Sequence, residues 1–141
     1  EGDVFVSGED SIKLFDAREI INAIGRGFNP SVALKLKKMD YGFELLNLND
    51  IARNKNDMQR LKGRVIGQEG KSRKVIEELT NCDICVYGKT IGIIGPIEEV
   101  ANARKSIEML LEGAMHASVY KFLEAKRRDT KMMGIKDQLP K

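Results

Sequence analysis

Two glycines three residues apart, Gly67 and Gly70, stand between two stretches of helical periodicity, and so short a joint leaves a chain few ways to fold. Upstream, Met58, Leu61 and Val65 recur at i, i+3 and i+7 and predict a helix ending at Ile66, with Asn54 or Asn56 as its N-cap. Downstream, Val75, Ile76 and Leu79 mark a second, short helix. Glycine at both ends of the turn permits positive φ and leaves no Cβ between the backbone and a ligand. The second helix starts at the turn, so its unpaired N–H groups and the positive end of its dipole face whatever sits there. Lys62 and Arg64 precede the turn, and Lys71, Arg73 and Lys74 follow it. Together these features suit a phosphate backbone.

The charge of the chain gathers at the same place. Residues 53–74 carry 8 basic and 2 acidic groups, against 6 and 9 in residues 1–52, 3 and 7 in 75–120, and 7 and 3 in 121–141. The net +3 over 141 residues therefore hides one concentrated positive segment and a basic tail. That asymmetry points to a polyanion partner. A nucleoside-triphosphate loop is excluded: Gly70-Lys71-Ser72 would need glycine where Val65 stands, and Gly88-Lys89-Thr90 where Asp83 stands. The dinucleotide fingerprint also fails at Val65, and the turn follows a helix, not a strand. No apolar run approaches the roughly 18–20 residues of a membrane helix, the longest stretch lying around Ile91–Ile97. The opening residues do not read as a signal peptide, and two cysteines without a disulfide framework fit a reducing, intracellular setting. These features argue against membrane, secreted and fibrous classes.

The segments around the turn predict an α+β unit. Gly42–Leu48 reads as a strand, Ile84–Tyr87 as another, Gly88-Lys89 as a tight turn and Ile91–Ile94 as the partner strand. Ile97, Val100, Ala103, Ile107 and Leu110 form the inner face of a long helix that stops at Gly113, with a further helix near 117–129. The order is β-α-α-β-β-α around a small antiparallel sheet with helices on one face. A fainter copy precedes it. Val6-Ser7-Gly8, Ala17-Arg18-Glu19-Ile20 and Ser31-Val32-Ala33 recur about 86 residues on as Ile94-Gly95, Ala103–Ile107 and Ser118-Val119-Tyr120. Each copy reads as a short strand, a long helix, a glycine break and a second helix. About fifty residues precede the second copy with no counterpart before the first, so the expectation is that the first repeat lacks its N-terminal half.

A G-x-x-G turn between two short helices in the order βααββα resembles the K-homology (KH) RNA-binding domain of type I. The segment Val65–Val86 carries that signature: Ile66-Gly67-Gln68-Glu69-Gly70, a basic helix start, spaced aliphatics and then a β-strand. The resemblance implies a clamp on about four unpaired nucleotides, the glycine turn holding the backbone and an apolar groove taking the bases. Arg64–Gly67, Lys71–Thr80, Val86–Thr90 and Ala17–Phe28 further resemble one family of two-KH small-subunit assembly factors, Partner of Nob, with the Krr proteins as relatives. That resemblance covers nearly all of residues 4–128. It implies single-stranded RNA near the 3′ end of small-subunit ribosomal RNA as a partner, together with the Nob endonuclease and, in archaea, the α subunit of initiation factor two. It implies the cytoplasm, or the nucleus and nucleolus in a eukaryote.

The site expected on these grounds comprises Lys62, Arg64, Val65, Ile66, Gly67, Gln68, Glu69, Gly70, Lys71, Ser72, Arg73, Lys74, Ile84 and Val86. Lys71, Arg73 and Lys74 would neutralise phosphates, and Val65, Ile66, Ile84 and Val86 would line the groove. Gln68-Glu69 departs from the frequently basic pair of such turns, and a carboxylate aimed at phosphate costs affinity unless it is neutralised or turns away. Gly25-Arg26-Gly27-Phe28 reads as the C-cap of a helix whose inner face is Leu14, Ala17, Ile21 and Ile24, with Arg26 in reach of RNA as the alternative. Cys82 and Cys85 are too few for a zinc site beside the single His116, and on a strand they point to opposite faces. Glu77-Glu78 and Glu98-Glu99 read as solvated helix faces. No catalytic constellation, metal or cofactor is expected. The organisation read from the sequence is thus the end of a first KH-like unit over 1–40, an intact KH domain with an extra helix over 41–128, and a basic, partly disordered tail over 129–141. The alternatives are a KH module of another RNA system, such as an exosome cap or a translation regulator, and a protein-interaction scaffold that has lost RNA.

Overall fold

A computed structural model of the protein describes residues 8–138, with side-chain surroundings for residues 11–133. In chain order the elements are α1 (Gly8–Gly25), α2 (Pro30–Ala33), β1 (Tyr41–Asn47), α3 (Lys55–Ile66), α4 (Lys71–Thr80), β2 (Asp83–Tyr87), β3 (Thr90–Pro96), α5 (Ile97–Leu111) and α6 (His116–Gln138). From β1 to α5 this is the βααββα order expected. The strands form one antiparallel sheet in the order β1-β3-β2, so the buried, isoleucine-rich β3 is central and β2 lies at an edge. Register places Ile93 opposite both Ile84 and Glu44, and Ile91 opposite Val86 and Leu46.

Alternation then divides the strand residues between two cores. Leu46, Ile84, Ile91 and Ile93 turn toward α3, α4 and α5, meeting Leu61, Val65, Ile76, Ile107 and Leu110, while Leu123 of α6 closes the far side. Each of these fully buried aliphatic side chains contributes about 1.5–3 kcal/mol relative to exposure. The N-cap of α3 is Asn54, whose side chain accepts from Asp57 N at 2.8 Å. The Asp57 carboxylate accepts from Arg53 N at 3.0 Å and from the Arg60 guanidinium, and these two bonds, the backbone one foremost, hold its carboxyl below the usual carboxylate range.

The second face of the sheet is covered by the first forty residues. Ile94 and the half-buried Phe43 and Cys85 pack against Ala23, Phe28, Ala33 and Leu36, with Phe28 and Phe43 edge to face at 6.0 Å between centroids. Such pairs add about 0.5–1.5 kcal/mol beyond their area. Lys35 Nζ meets Asp83 Oδ2 at 2.7 Å, and that hydrogen bond raises the lysine pKa. The tip of the β2–β3 hairpin is held from the same side: Arg26 donates through Nε and Nη2 to Thr90 Oγ1 at 3.1 and 2.7 Å and lies over the Tyr87 ring.

Two expectations change here. The inner face of α1 is not Leu14, Ala17, Ile21 and Ile24, all of which are exposed; Ile20 and Ala23 face the sheet instead. The helix expected to end near 129 continues to Gln138, carried forward from a start anchored by buried Val119 and Leu123. The strand expected at Val6-Ser7-Gly8 lies outside the described residues except for Gly8, which begins α1, and residues 139–141 of the tail lie outside them too.

Candidate nucleic-acid interface

The turn between α3 and α4 uses its two glycines for different physical reasons. Gly67 has φ 76° and ψ 173°, and a Cβ built on it would stand 2.5 Å from Ser72 Cβ and 2.7 Å from Ser72 N. Gly70 has φ 75° and ψ 11°, the left-handed region, and its Cβ would meet nothing within 4 Å. Glu69 between them is left-handed as well, at φ 55°. No side chain caps α4; the Lys71 N–H is taken by Gln68 O within the turn, and the start of this ten-residue helix faces the turn.

α4 divides its charges between two sides. Lys71, Lys74 and Glu78 line an outer cleft of about 510 Å³ together with Gln68 and Glu69, so Glu69 stands beside two lysines and on the side away from β2. Arg73 and Glu77 face β2. Glu77 Oε2 accepts from Ile84 N at 2.9 Å, which shows that the Ile84 N–H points out of the sheet. Hydrogen-bonding direction alternates along an antiparallel edge, so the N–H and C=O of Val86 open on the same side. Arg73 Nε is buried and lacks a hydrogen-bond partner, with Glu77 Oε1 at 4.0 Å. The groove between α4 and the β2 edge therefore presents a cation, a carboxylate and one open peptide unit within two turns of helix.

The expected site residues do not all gather there. Gly67, Gln68, Glu69, Gly70, Lys71 and Lys74 form the turn and its outer side, Ile66 is about a third exposed, and Lys62 and Val86 are half-buried. Val65 and Ile84, expected to line the groove, are core residues at 0% and 3% exposure; their apolar character serves the helix–sheet interface. Ser72 is buried beneath Gly67 with its hydroxyl unpartnered. Arg64 is turned from the turn altogether: Nε donates to Leu110 O at 2.7 Å and Nη2 to Ala114 O, closing the C-terminus of α5 where a cation is favoured. Its own carbonyl accepts from His116 Nε2 at 2.9 Å. Replacing Arg64 by Ala should lower the free energy of unfolding in urea by about 1.5–3 kcal/mol, because Leu110 O at the end of α5 and Ala114 O in the connection beyond it lose a charged donor. Lys62→Ala, with no such partner among the described residues, should stay within about 0.5 kcal/mol. Equal losses would refute the assignment of Arg64 to the α5 terminus.

Glu77, with a place at the groove, carried no local signal: expected on a solvated face, it reaches seven residues forward to β2. Arg26, expected at a helix C-cap with RNA as the alternative, spans sixty-four residues to Thr90 at the hairpin tip, from the side of the first forty residues. Cys82 and Cys85 fall on opposite sides of the sheet, in the two separate cores, and burial pushes the Cys82 thiol up to about 11. Among the described residues, no three histidine, cysteine or acidic side chains converge as metal ligands would, and no helix is long and apolar enough to cross a membrane.

Known proteins share this arrangement. The model of the second KH domain of PNO1, described as a eukaryotic type KH domain (KH-domain type I), matches residues 42–128. A KH domain-containing protein of Methanocaldococcus jannaschii is 49% identical over 135 residues, which cover 93% of this chain and 60% of that protein. The pre-rRNA-processing protein PNO1 of Chaetomium thermophilum is 29% identical over 105 residues, 72% of this chain and 40% of that one. The chain thus spans about half the length of the curated relatives it matches. A chain in the crystal structure of an a/eIF2alpha–aDim2p–rRNA complex from Pyrococcus horikoshii superposes with a TM-score of 0.79 at 40% identity, covering 85% of this chain and 66% of that chain.

Proposed function

The chain belongs to the type I KH domains of the PNO1 family, and from that premise we propose that it is a non-enzymatic protein that holds single-stranded RNA at the 3′ end of small-subunit ribosomal RNA during maturation. The observation that carries this reading is the pairing of an uncapped α4 N-terminus, reached through two positive-φ glycines, with an open β2 edge across the same helix. A phosphodiester backbone needs donors that approach without side chains between, and unpaired bases need a hydrogen-bonding edge; the two lie on either side of α4. The relative solved with a/eIF2alpha and rRNA supports ribosomal RNA and the α subunit of initiation factor two as partners. The Nob endonuclease rests on the family resemblance alone, and cleavage of the RNA is assigned to such a partner. The first forty residues are the closing half of a preceding KH-like unit in this reading, and their place behind the sheet supports it.

Fluorescence anisotropy with a short oligonucleotide copying the 3′ end of small-subunit rRNA tests the proposal. Binding should exceed that of a scrambled strand, and with about four phosphate contacts the log–log salt slope should lie near about −3. Binding that ignores scrambling would keep the clamp and move the target to another RNA system. Absence of binding at low salt would leave a protein-interaction scaffold.

A further inference from the structure

Where α6 crosses the start of α4, the helices enclose a second cleft, of about 490 Å³, that shares the turn but not the groove. Neither Arg73, Glu77 nor any residue of β2 lines it. Arg60, Lys71 and Tyr120 bring donors to its walls, and no carboxylate does. Asp57, just outside, takes Nε and Nη2 of Arg60 and leaves Nη1 uncommitted. Gly63 leaves open space on the α3 side of the cleft. Ser72 lines the cleft at the N-terminus of α4, 1% exposed, with its hydroxyl lacking any partner in the protein. A buried hydroxyl without a partner is costly, and its presence beside cations and helix N–H groups calls for an acceptor from outside.

We propose that this cleft is a second phosphate site, filled by the backbone of the RNA strand at a nucleotide beyond those held by the glycine turn. The inference rests on the RNA-binding reading above. Gly67, Gln68 and Lys71 belong to both the turn and the cleft, so a strand leaving the clamp past α4 enters it directly. α6 thereby lengthens the footprint of the domain, with His116 held by the bond from its ring to Arg64 O and the Tyr120 ring tilted against it at 6.2 Å between centroids.

Gly63 offers the test, because a Cβ there meets nothing within 4 Å and a side chain enters the cleft without disturbing α3. Binding of the 141-residue chain to four- and eight-nucleotide single strands is compared by anisotropy. The parent should bind the longer strand about tenfold more tightly, with a salt slope steeper by about 0.7 for each added contact. Gly63→Glu should abolish that advantage while leaving four-nucleotide binding within about threefold, and the neutral Gly63→Gln should retain it. A parent without a length advantage, or an advantage that survives Gly63→Glu, overturns the proposal. If the parent binds neither strand, the RNA reading itself fails, and a titration with inorganic phosphate decides the cleft. Amide shifts at Gly63, Gly67 and Ser72 that vanish in Gly63→Glu assign the site to free phosphate, and their absence overturns it.

Discussion

A Gly70→Asp chain folds like its parent and binds RNA at least about thirtyfold more weakly. The left-handed conformation of Gly70 is one that aspartate adopts more readily than most residues, and open space surrounds its Cβ. The folding cost is therefore about 1 kcal/mol or less. The carboxylate, however, stands at the uncapped start of α4, where it opposes an incoming phosphate and competes for the same N–H groups. Losing charge-assisted bonds there and adding repulsion amounts to about 2–3 kcal/mol of binding. Anisotropy at one fixed salt concentration and a thermal melt decide the matter together. Affinity within threefold of the parent would remove the turn from the interface, and a collapsed melt would show that Gly70 serves the fold.

Gly67→Ala gives the opposite result: the fold weakens by about 3 kcal/mol, roughly a 10 °C fall in melting temperature for a chain of this size. Its φ and ψ lie in a region reserved for glycine, worth about 1–3 kcal/mol in strain. The added methyl would also press on Ser72 N, which belongs to the backbone of the first turn of α4 and cannot rotate aside. Urea unfolding measures the loss, and a change below about 1 kcal/mol would mean that the turn relaxes into another form. Two glycines with the same spacing role in the sequence thus separate into one that builds the turn and one that keeps it open.

That separation was invisible in the sequence, because it depends on where Ser72 comes to rest. The helices and strands from β1 to α5 were legible, since each has one apolar face and a clear period. Periodicity left the N-cap open between Asn54 and Asn56, and the hydrogen bond to Asp57 N selects Asn54. It failed in α1, whose apolar residues Ile12, Leu14, Phe15, Ile20, Ile21 and Ile24 run around the helix and define no single face. The end of α6 was missed for the reverse reason: its last turns are polar, and a helix propagates from a packed start without needing an apolar stripe. In the glycine signature, nothing distinguishes Val65 and Ile84 from groove residues, because an aliphatic side chain does not announce which neighbour it meets. Arg64 and Glu77 belong to the same class of error, one a basic residue spent on a helix end and the other an acidic residue spent on a strand edge.

The open side of β2 has a bearing on how the protein behaves when no nucleic acid is present. An edge that receives a base by hydrogen bonds to the main chain receives another polypeptide strand by the same bonds, and such edges are where sheets of separate molecules join. Here the strand is five residues long, and the Glu77 carboxylate already occupies the Ile84 N–H. Val86 is left as a fully open rung, enough for one base and too little for a second chain to pair along. The side chain that narrows what the groove can read thus also covers part of the β2 edge that a second chain would need.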